Sequence, residues 1–128
     1  MGPVASILIV EDEEQVRVLA ESVLTDAGHK TLSAGTADQA IALIEGGEQI
    51  DLVFTDVALQ TEFQAGLAFA QEAVRRRPGL PVLYTTGQGI TDGMRALFVE
   101  HFGFLAKPYT ADQLITALDN LLRKTAER

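Results

Sequence analysis

The sequence predicts an α/β fold in which one parallel sheet is covered by helices on both faces. Five short apolar runs alternate with segments of helical spacing. The strongest runs contain few polar residues, which is typical of strands buried on both faces. Right-handed connections between parallel strands place helices on both sides of a sheet. We therefore expect a doubly wound sheet of five β-α units.

The length of 128 residues fits one domain with one hydrophobic core. Hydrophobic residues make up 47% of the chain, which favours a globular fold over a disordered chain. We expect a single domain over residues 1–128, with its core at about 5–123 and no output domain.

The first predicted strand, Ile7–Val10, precedes a segment with an apolar helical face. That face consists of Val16, Leu19, Ala20, Val23 and Leu24. Gly28 is the expected stop of this helix, because glycine readily adopts the left-handed conformation that ends many helices. A weaker apolar run, His29–Ala34, predicts the second strand.

Thr36 is placed to cap a second helix, which we expect to end at Gly46-Gly47. Leu52–Phe54 predicts the third strand. A third helix is predicted from about Gly66 to Arg77, because the residue before Pro78 is disfavoured in a helix.

Pro81–Tyr84 predicts the fourth strand. The fourth helix is predicted from about Asp92 to Glu100, and Gly93 lowers its stability. Phe102–Ala106 predicts the fifth strand. The last helix begins at Thr110-Ala111-Asp112-Gln113, which has the sequence pattern of a capping box.

The net charge of -8 comes from 10 Lys+Arg and 18 Asp+Glu, so the surface repels nucleic-acid phosphate and anionic lipid. The basic run Arg75-Arg76-Arg77 is expected to close a helix, where cations favour the helix dipole. No apolar run approaches the roughly 18–20 residues that cross a bilayer. A basic region that would mark a signal peptide is absent, and so is cysteine. We expect a soluble, cytoplasmic protein with no nucleic-acid or membrane partner.

In open parallel sheets, ligands bind beyond the carboxyl ends of the strands. The predicted strands deliver to this edge Glu11, Asp12, Asp56, Thr85, Thr86, Gly87, Lys107 and Pro108. Each alone has an ordinary explanation, since acids suit helix starts, an Asp closes turns, and a Lys at a strand end is usually solvated. Their conjunction is what predicts a site.

Three carboxylates with oxygen-only neighbours suit a hard divalent cation such as Mg²⁺. Such a cation and a helix N-terminus would offset the repulsion within the acidic run 11–14, and we expect Glu13 and Glu14 to face solvent in the first helical turn. Beside the cation, Asp56 could attack a phosphorus atom in line while Thr86 and Lys107 hold the incoming oxygens. The product would be an aspartyl phosphate.

Four motifs together resemble the receiver domain of two-component response regulators. They are Ile-Val-Glu-Asp-Glu at 9–13, Phe-Thr-Asp at 54–56, Thr-Thr-Gly at 85–87 and Ala-Lys-Pro-Tyr at 106–109. The resemblance covers roughly Ala5 to Arg123 and implies a flavodoxin-like (βα)5 fold with strand order 2-1-3-4-5. The stretch 83–88 also resembles a group of stand-alone alphaproteobacterial receivers with a Thr-Gly signature.

The resemblance implies a role for each matching residue. Asp56 corresponds to the phosphoacceptor, and Lys107 to its cationic partner. Asp12 corresponds to a direct ligand of Mg²⁺ (or Mn²⁺), with Glu11 holding the ion through water. Ala58 matches the position that lends its backbone carbonyl to the ion.

The resemblance also implies a switch. Thr86 corresponds to the hydroxyl that moves toward the phosphoryl group, and Phe104 to the rotating aromatic of the fifth strand. Their shift would remodel the face formed by the fourth helix, the fifth strand and the fifth helix. The Lys107–Pro108 bond is expected to be cis, as a tertiary amide makes feasible.

One stretch departs from the family pattern. Between Asp56 and Gly66 the chain lacks the usual proline and is two residues longer than in most receivers. We therefore expect a mobile loop at 57–65.

The leading hypothesis is a stand-alone bacterial receiver that accepts a phosphoryl group from a histidine kinase or a histidine phosphotransfer protein. It is a signalling module that catalyses only its own phosphorylation and dephosphorylation. It would signal to a downstream protein as a monomer or a weak phosphorylation-dependent dimer. The alternatives are a phosphate sink or shuttle in a phosphorelay, and a receiver-shaped interaction module that does not switch.

Two rival classes fit the residues less well. A phosphatase of the haloacid dehalogenase type generally needs a second Asp two residues after the first, and Ala58 stands there. A flavodoxin needs a loop rich in hydroxyl groups and glycine after the first strand, whereas the acidic run 11–14 would repel a flavin phosphate.

Overall fold

A computed structural model describes residues 4–59, 62 and 64–127 of the chain. Strands and helices alternate in the order β1 (Ser6–Val10), α1 (Glu14–Asp26), β2 (Lys30–Ala34), α2 (Ala37–Glu45), β3 (Leu52–Asp56), α3 (Ala65–Arg76), β4 (Val82–Thr86), α4 (Asp92–Arg95), β5 (Phe102–Ala106) and α5 (Ala111–Ala126). The strands pair in parallel in the order β2-β1-β3-β4-β5, which confirms the predicted fold class. None of the described helices combines the length and apolar character that crossing a membrane requires.

The sheet separates two apolar cores because successive side chains of a strand point to opposite faces. On one face, Val53 and Tyr84 pack with buried residues of α2 and α3. On the other face, Phe54 and Leu83 pack with buried residues of α1 and α5. The helices thus cover both faces, and the carboxyl ends of the strands emerge along one edge.

Polar caps begin the helices where the sequence predicts them. The Thr36 hydroxyl accepts a hydrogen bond from the Gln39 N–H at 3.1 Å. Thr110 and Gln113 form a reciprocal capping box at the start of α5. Glu13 and Glu14 are exposed at the start of α1, as expected, and Gly28 follows that helix with a φ of +95°.

The predicted apolar face of α1 is wrong at Leu19. Ala20 and Leu24 are buried, but the Leu19 side chain is 60% exposed. At 100° per residue, the stripe centred on Ala20 and Leu24 leaves Leu19 at its outer flank. Helical periodicity predicted the direction of the buried face but overestimated its width.

The fourth helix is also shorter than predicted, since α4 ends at Arg95. Tertiary contacts hold the backbone beyond it. The Val99 N–H donates to the Tyr84 hydroxyl at 3.1 Å, and the Leu97 carbonyl accepts from Gln71 Nε2 at 3.0 Å. These bonds replace the intrahelical partners that a longer helix would supply.

Backbone contacts bring the lengthened loop back to β3. Leu59 and Glu62 exchange two backbone hydrogen bonds of 3.2 and 3.1 Å, and the Gly66 N–H donates to the Val57 carbonyl at 2.7 Å. The mobility expected at 57–65 falls partly on Gln60, Thr61 and Phe63, which lie outside the described residues.

Candidate functional site

Three charged side chains from three strands meet at the carboxyl edge of the sheet. Glu11 follows β1, Asp56 ends β3 and Lys107 follows β5. The Lys107 ammonium lies 2.6 Å from Asp56 Oδ2 and 2.8 Å from Glu11 Oε1. One cation thereby joins two carboxylates that would otherwise repel each other.

The Glu11 carboxylate is buried and held on two sides. Its Oε1 accepts from Lys107, and its Oε2 accepts from the Glu13 N–H at 3.1 Å. Burial raises the pKa of Glu11 above its ordinary value, although both hydrogen bonds lower it; the nearby Asp56 charge raises it further. The Glu11 backbone carbonyl accepts from Arg17 Nη1 at 2.8 Å, which fixes the start of the acidic run.

Lys107 is a firmly charged group in this setting. Burial by itself lowers the pKa of an ammonium, but hydrogen bonds and charge interactions with Asp56 and Glu11 outweigh it. The pKa of Lys107 is therefore raised above its ordinary value. The Lys107–Pro108 peptide bond is cis, and the Lys107 N–H donates to the Thr86 carbonyl at 3.0 Å.

The Asp56 carboxylate is positioned by the backbone around it. Its Oδ1 accepts from the Ala58 N–H at 3.1 Å, and its own carbonyl accepts from the Thr55 hydroxyl at 3.0 Å. Gly66 lies so close that a Cβ there would be 1.8 Å from the Asp56 carbonyl oxygen. Only glycine therefore fits at this point of the returning loop.

The hydroxyl and aromatic groups of this edge take separate positions. The Thr86 hydroxyl accepts from the Gln88 N–H at 3.2 Å rather than joining the charged cluster. Thr85 is buried, and its hydroxyl has no hydrogen-bond partner within 4–59, 62 and 64–127. Phe104 is half-buried against the core on the α2 and α3 face.

Tyr109 adds a residue that sequence reasoning passed over. Its ring meets Phe54 edge to face with centroids 5.9 Å apart. Burial raises the pKa of Tyr109; Lys107 lowers it, and the negative charges of Glu11 and Asp56 raise it. Its place two residues after Lys107, within the motif at 106–109, was an available signal.

Asp12 stands apart from the charged cluster. It is exposed and makes no hydrogen bond or ion pair to another described residue. Among the residues that the structure describes, no three acidic or histidine side chains are grouped closely enough to hold a metal ion. The donor chemistry nevertheless suits a hard cation, because Glu11, Asp12 and Asp56 offer three carboxylates against the single ammonium of Lys107.

Comparison with known proteins adds independent evidence. The sequence model of the response regulator receiver domain matches residues 7–119. The chain is 32% identical to the nitrogen assimilation regulatory protein NtrX of Azorhizobium caulinodans, over 91% of this chain and 26% of that protein. It is 33% identical to the transcriptional regulatory protein TcrA of Mycobacterium tuberculosis, over 92% of this chain and 46% of that protein. The chain thus spans about a quarter of the NtrX relative and about half of TcrA.

Solved structures agree with the observed fold. A response regulator receiver protein from Sinorhizobium medicae matches with a TM-score of 0.84 and 31% identity, over 95% of this chain and 97% of that one. NtrX from Brucella abortus matches with a TM-score of 0.86 and 34% identity, over 98% of this chain and 28% of that one.

Proposed function

Because this chain belongs to the response regulator receiver domain family, we propose that Asp56 accepts a phosphoryl group from a histidine kinase or a histidine phosphotransfer protein. Receiver domains of this family are phosphorylated by histidine kinases. The longer relatives carry further sequence that this comparison does not cover, so the proposal concerns the phosphoaccepting domain at residues 5–123.

The ion pair of Asp56 with Lys107 is the observation that carries the proposal. The carboxylate is 7% exposed at the end of β3, with an ammonium 2.6 Å away. In the transfer, an Asp56 oxygen forms a bond to phosphorus as the bond from phosphorus to the donor breaks, and that electron pair leaves with the donor. Lys107 remains beside the transferred group and offsets its negative charge.

A bound divalent cation would complete the charge balance of this reaction. Receiver domains generally bind Mg²⁺ at the phosphorylation site. We propose that Glu11, Asp12, Asp56 and the Ala58 carbonyl hold Mg²⁺ (or Mn²⁺) here, where it supplies further neutralisation of phosphoryl charge. The surplus of carboxylate over ammonium and the exposure of Asp12 support this assignment.

Phosphorylation is proposed to alter the face formed by α4, β5 and α5. Thr86 is the proposed switch hydroxyl. Its turn toward Asp56 would break one hydrogen bond, the one that it accepts from the Gln88 N–H. Phe104 is the proposed aromatic partner of this change, because it is only half-buried on β5. A downstream protein that binds this face would sense the change.

Intact mass after incubation with acetyl phosphate tests the proposal. The wild-type protein should gain one phosphoryl group when Mg²⁺ is present and none when it is chelated. Asp56→Asn keeps the size of the side chain but removes the nucleophilic oxygen, so it should gain nothing. Equal labelling of Asp56→Asn and wild type would contradict the acceptor assignment.

Rapid hydrolysis could hide a labelled species, so beryllofluoride provides the second arm. It mimics a phosphoryl group without being hydrolysed, and binding to the wild type but not to Asp56→Asn is expected. Failure of the wild type to show either labelling or beryllofluoride binding would overturn the proposed function.

A further inference from the structure

We propose that Thr85 is a positioning residue that acts through Lys107. When the Lys107 ammonium moves from Glu11 to a phosphoryl oxygen on Asp56, the hydrogen bond that it had donated to Glu11 is lost. The Thr85 hydroxyl then accepts a hydrogen bond from that ammonium. The inference rests on the proposed phosphoryl transfer to Asp56 and adds to it a residue that the motifs do not assign.

Thr85 differs from the two other buried threonines at this edge. The Thr55 hydroxyl donates to the Asp56 carbonyl, and the Thr86 hydroxyl accepts from the Gln88 N–H. The Thr85 side chain is as buried as theirs, at 2% exposure, yet no other described residue bonds to its hydroxyl. A buried hydroxyl without a partner is costly, so it calls for a state in which it is satisfied.

A trapped water does not supply the missing partner. Thr85 lines a narrow space together with Glu11, Asp56 and Tyr109. That space leaves no room for a water-sized sphere. The remaining lining is apolar, from Ile9, Val10, Val16, Ala20 and Phe54.

The sheet register places Thr85 next to Leu105, two residues before Lys107. Thr85 is paired with Asp56 on one side and with Leu105 on the other. Tyr84 belongs to the core of the α2 and α3 face, so Thr85 faces the α1 and α5 side. Leu105 packs on that same side, and Lys107 lies two residues further along the chain.

Lys107 must therefore pass over β4 to reach its partners. It starts from the end of β5, and its ammonium contacts Asp56 on β3 and Glu11 beyond β1. Thr85 is the β4 residue on the face that it crosses. Its carbonyl accepts from the Val57 N–H at 2.9 Å, which fixes its backbone beside the acceptor.

The hydrogen-bond count of the ammonium favours this role. An ammonium has three donors, and in the present state two are directed at Glu11 and Asp56. A phosphoryl group on Asp56 draws the ammonium toward itself and away from Glu11. The Thr85 hydroxyl then offers an acceptor within the buried site, where unpaired donors are costly.

The experiment compares three variants with the wild type in thermal melts with and without Mg²⁺ and beryllofluoride. Thr85→Val removes the hydroxyl and keeps the shape, and Thr85→Ser keeps a hydroxyl. Thr55→Val removes a buried hydroxyl that already has a partner. Without ligand, Thr55→Val should lower Tm by roughly 3–5 °C. Thr85→Val should instead have a Tm equal to or higher than that of the wild type.

With ligand, Thr85→Val should bind beryllofluoride roughly tenfold more weakly than the wild type, as expected for a lost hydrogen bond to a charged group. Thr85→Ser should restore most of the affinity. The same order should appear in the phosphorylation rate with acetyl phosphate.

Two results would overturn the inference. Unchanged beryllofluoride affinity in Thr85→Val would show that the hydroxyl takes no part in the loaded state. A loss of Tm in unliganded Thr85→Val equal to that of Thr55→Val would show that the hydroxyl already has a partner. A wild type that binds no beryllofluoride would instead overturn the proposed function, and this inference with it.

Discussion

The acidic side of the site and the α4–β5 region are built in different ways. On the acidic side, directional hydrogen bonds from Ala58, Thr55 and Glu13 hold the carboxyl and carbonyl groups. The α4–β5 region has one helical turn and a strand whose residues are half-buried or exposed. Directional bonds fix the place of a reacting group, whereas the second region keeps room to rearrange.

Aromatic packing supplies much of the cohesion in the α4–β5 region. The rings of Tyr84 and Phe98 stack with centroids 4.2 Å apart, and Phe102 meets Phe98 edge to face at 5.1 Å. Such contacts tolerate sliding and tilting better than hydrogen bonds do. Lys107 links the two regions, because it is rooted after β5 and its ammonium lies among the acids.

Breaking the acidic side should have the largest effect. Gly66→Ala would place a methyl group 1.8 Å from the Asp56 carbonyl oxygen, which forces the loop off β3. We expect a loss of about 3 kcal/mol or more in the free energy of unfolding, together with loss of beryllofluoride binding. Urea unfolding and a binding titration measure the two effects.

Gly89→Ala is the matched control for this change. A Cβ at Gly89 meets no atom within 4 Å, so the same substitution should change stability by less than about 0.5 kcal/mol. If Gly66→Ala had the same free energy of unfolding as the wild type, the loop would not need its close approach to Asp56.

Cutting the link between the two regions should have an intermediate effect. Lys107→Met keeps much of the side-chain bulk but leaves Glu11 buried without its cation. We expect the free energy of unfolding to fall by about 2–3 kcal/mol at neutral pH. Urea unfolding at a series of pH values provides the measurement, with the exposed Lys124→Met as control.

The pH dependence of this loss has a definite sign. The pKa of Glu11 is already raised by burial, and removing Lys107 removes a hydrogen bond that lowers it. A raised folded-state pKa contributes stability below the ordinary value of 4.5, and this contribution is lost as pH rises through the folded-state pKa. The deficit of Lys107→Met should therefore grow from acid to neutral pH. A deficit that stays constant over this interval would contradict the assigned role of the cation.

Loosening the second region should have the smallest effect. Burial raises the pKa of Tyr84 to about 12, so its phenol stays neutral and accepts the Val99 N–H. Tyr84→Phe leaves the buried Val99 N–H without its acceptor, and we expect the free energy of unfolding to fall by about 1–2 kcal/mol. Hydrogen exchange at Val99 should accelerate, while beryllofluoride binding persists.

Tyr109→Phe sharpens the comparison, since no hydrogen bond to the Tyr109 hydroxyl is seen in the described ranges. It should leave the exchange rate of Val99 unchanged. Equal protection of Val99 in Tyr84→Phe and the wild type would mean that the hydroxyl does not anchor this segment.

The sequence predicted the architecture because each strand and helix carries its own local signal. The apolar run ending at Val10 and the capping box from Thr110 need no knowledge of distant residues. The meeting of Glu11, Asp56 and Lys107 follows from the same logic, because parallel strands end along one edge.

Other features depend on contacts between residues far apart in sequence. Only the packing of α1 shows that Leu19 lies outside the buried stripe. The hydrogen bonds of Tyr84 and Gln71 to the backbone after α4 are equally invisible in the sequence. Thr85 could be read from the sequence as an ordinary strand former. Its unsatisfied hydroxyl becomes visible only when its neighbours on both sides are in place.

The pairing of Glu11 with Lys107 spans 96 residues of sequence, which has a consequence for the newly made chain. Synthesis proceeds from the N-terminus, so Glu11 and Asp56 leave the ribosome well before Lys107, the cation that pairs with both. Until the last β-α unit arrives, the edge of the growing sheet carries uncompensated negative charge. We expect nascent chains to remain unable to compete for phosphoryl donors until the fifth β-α unit, with Lys107, has been synthesised.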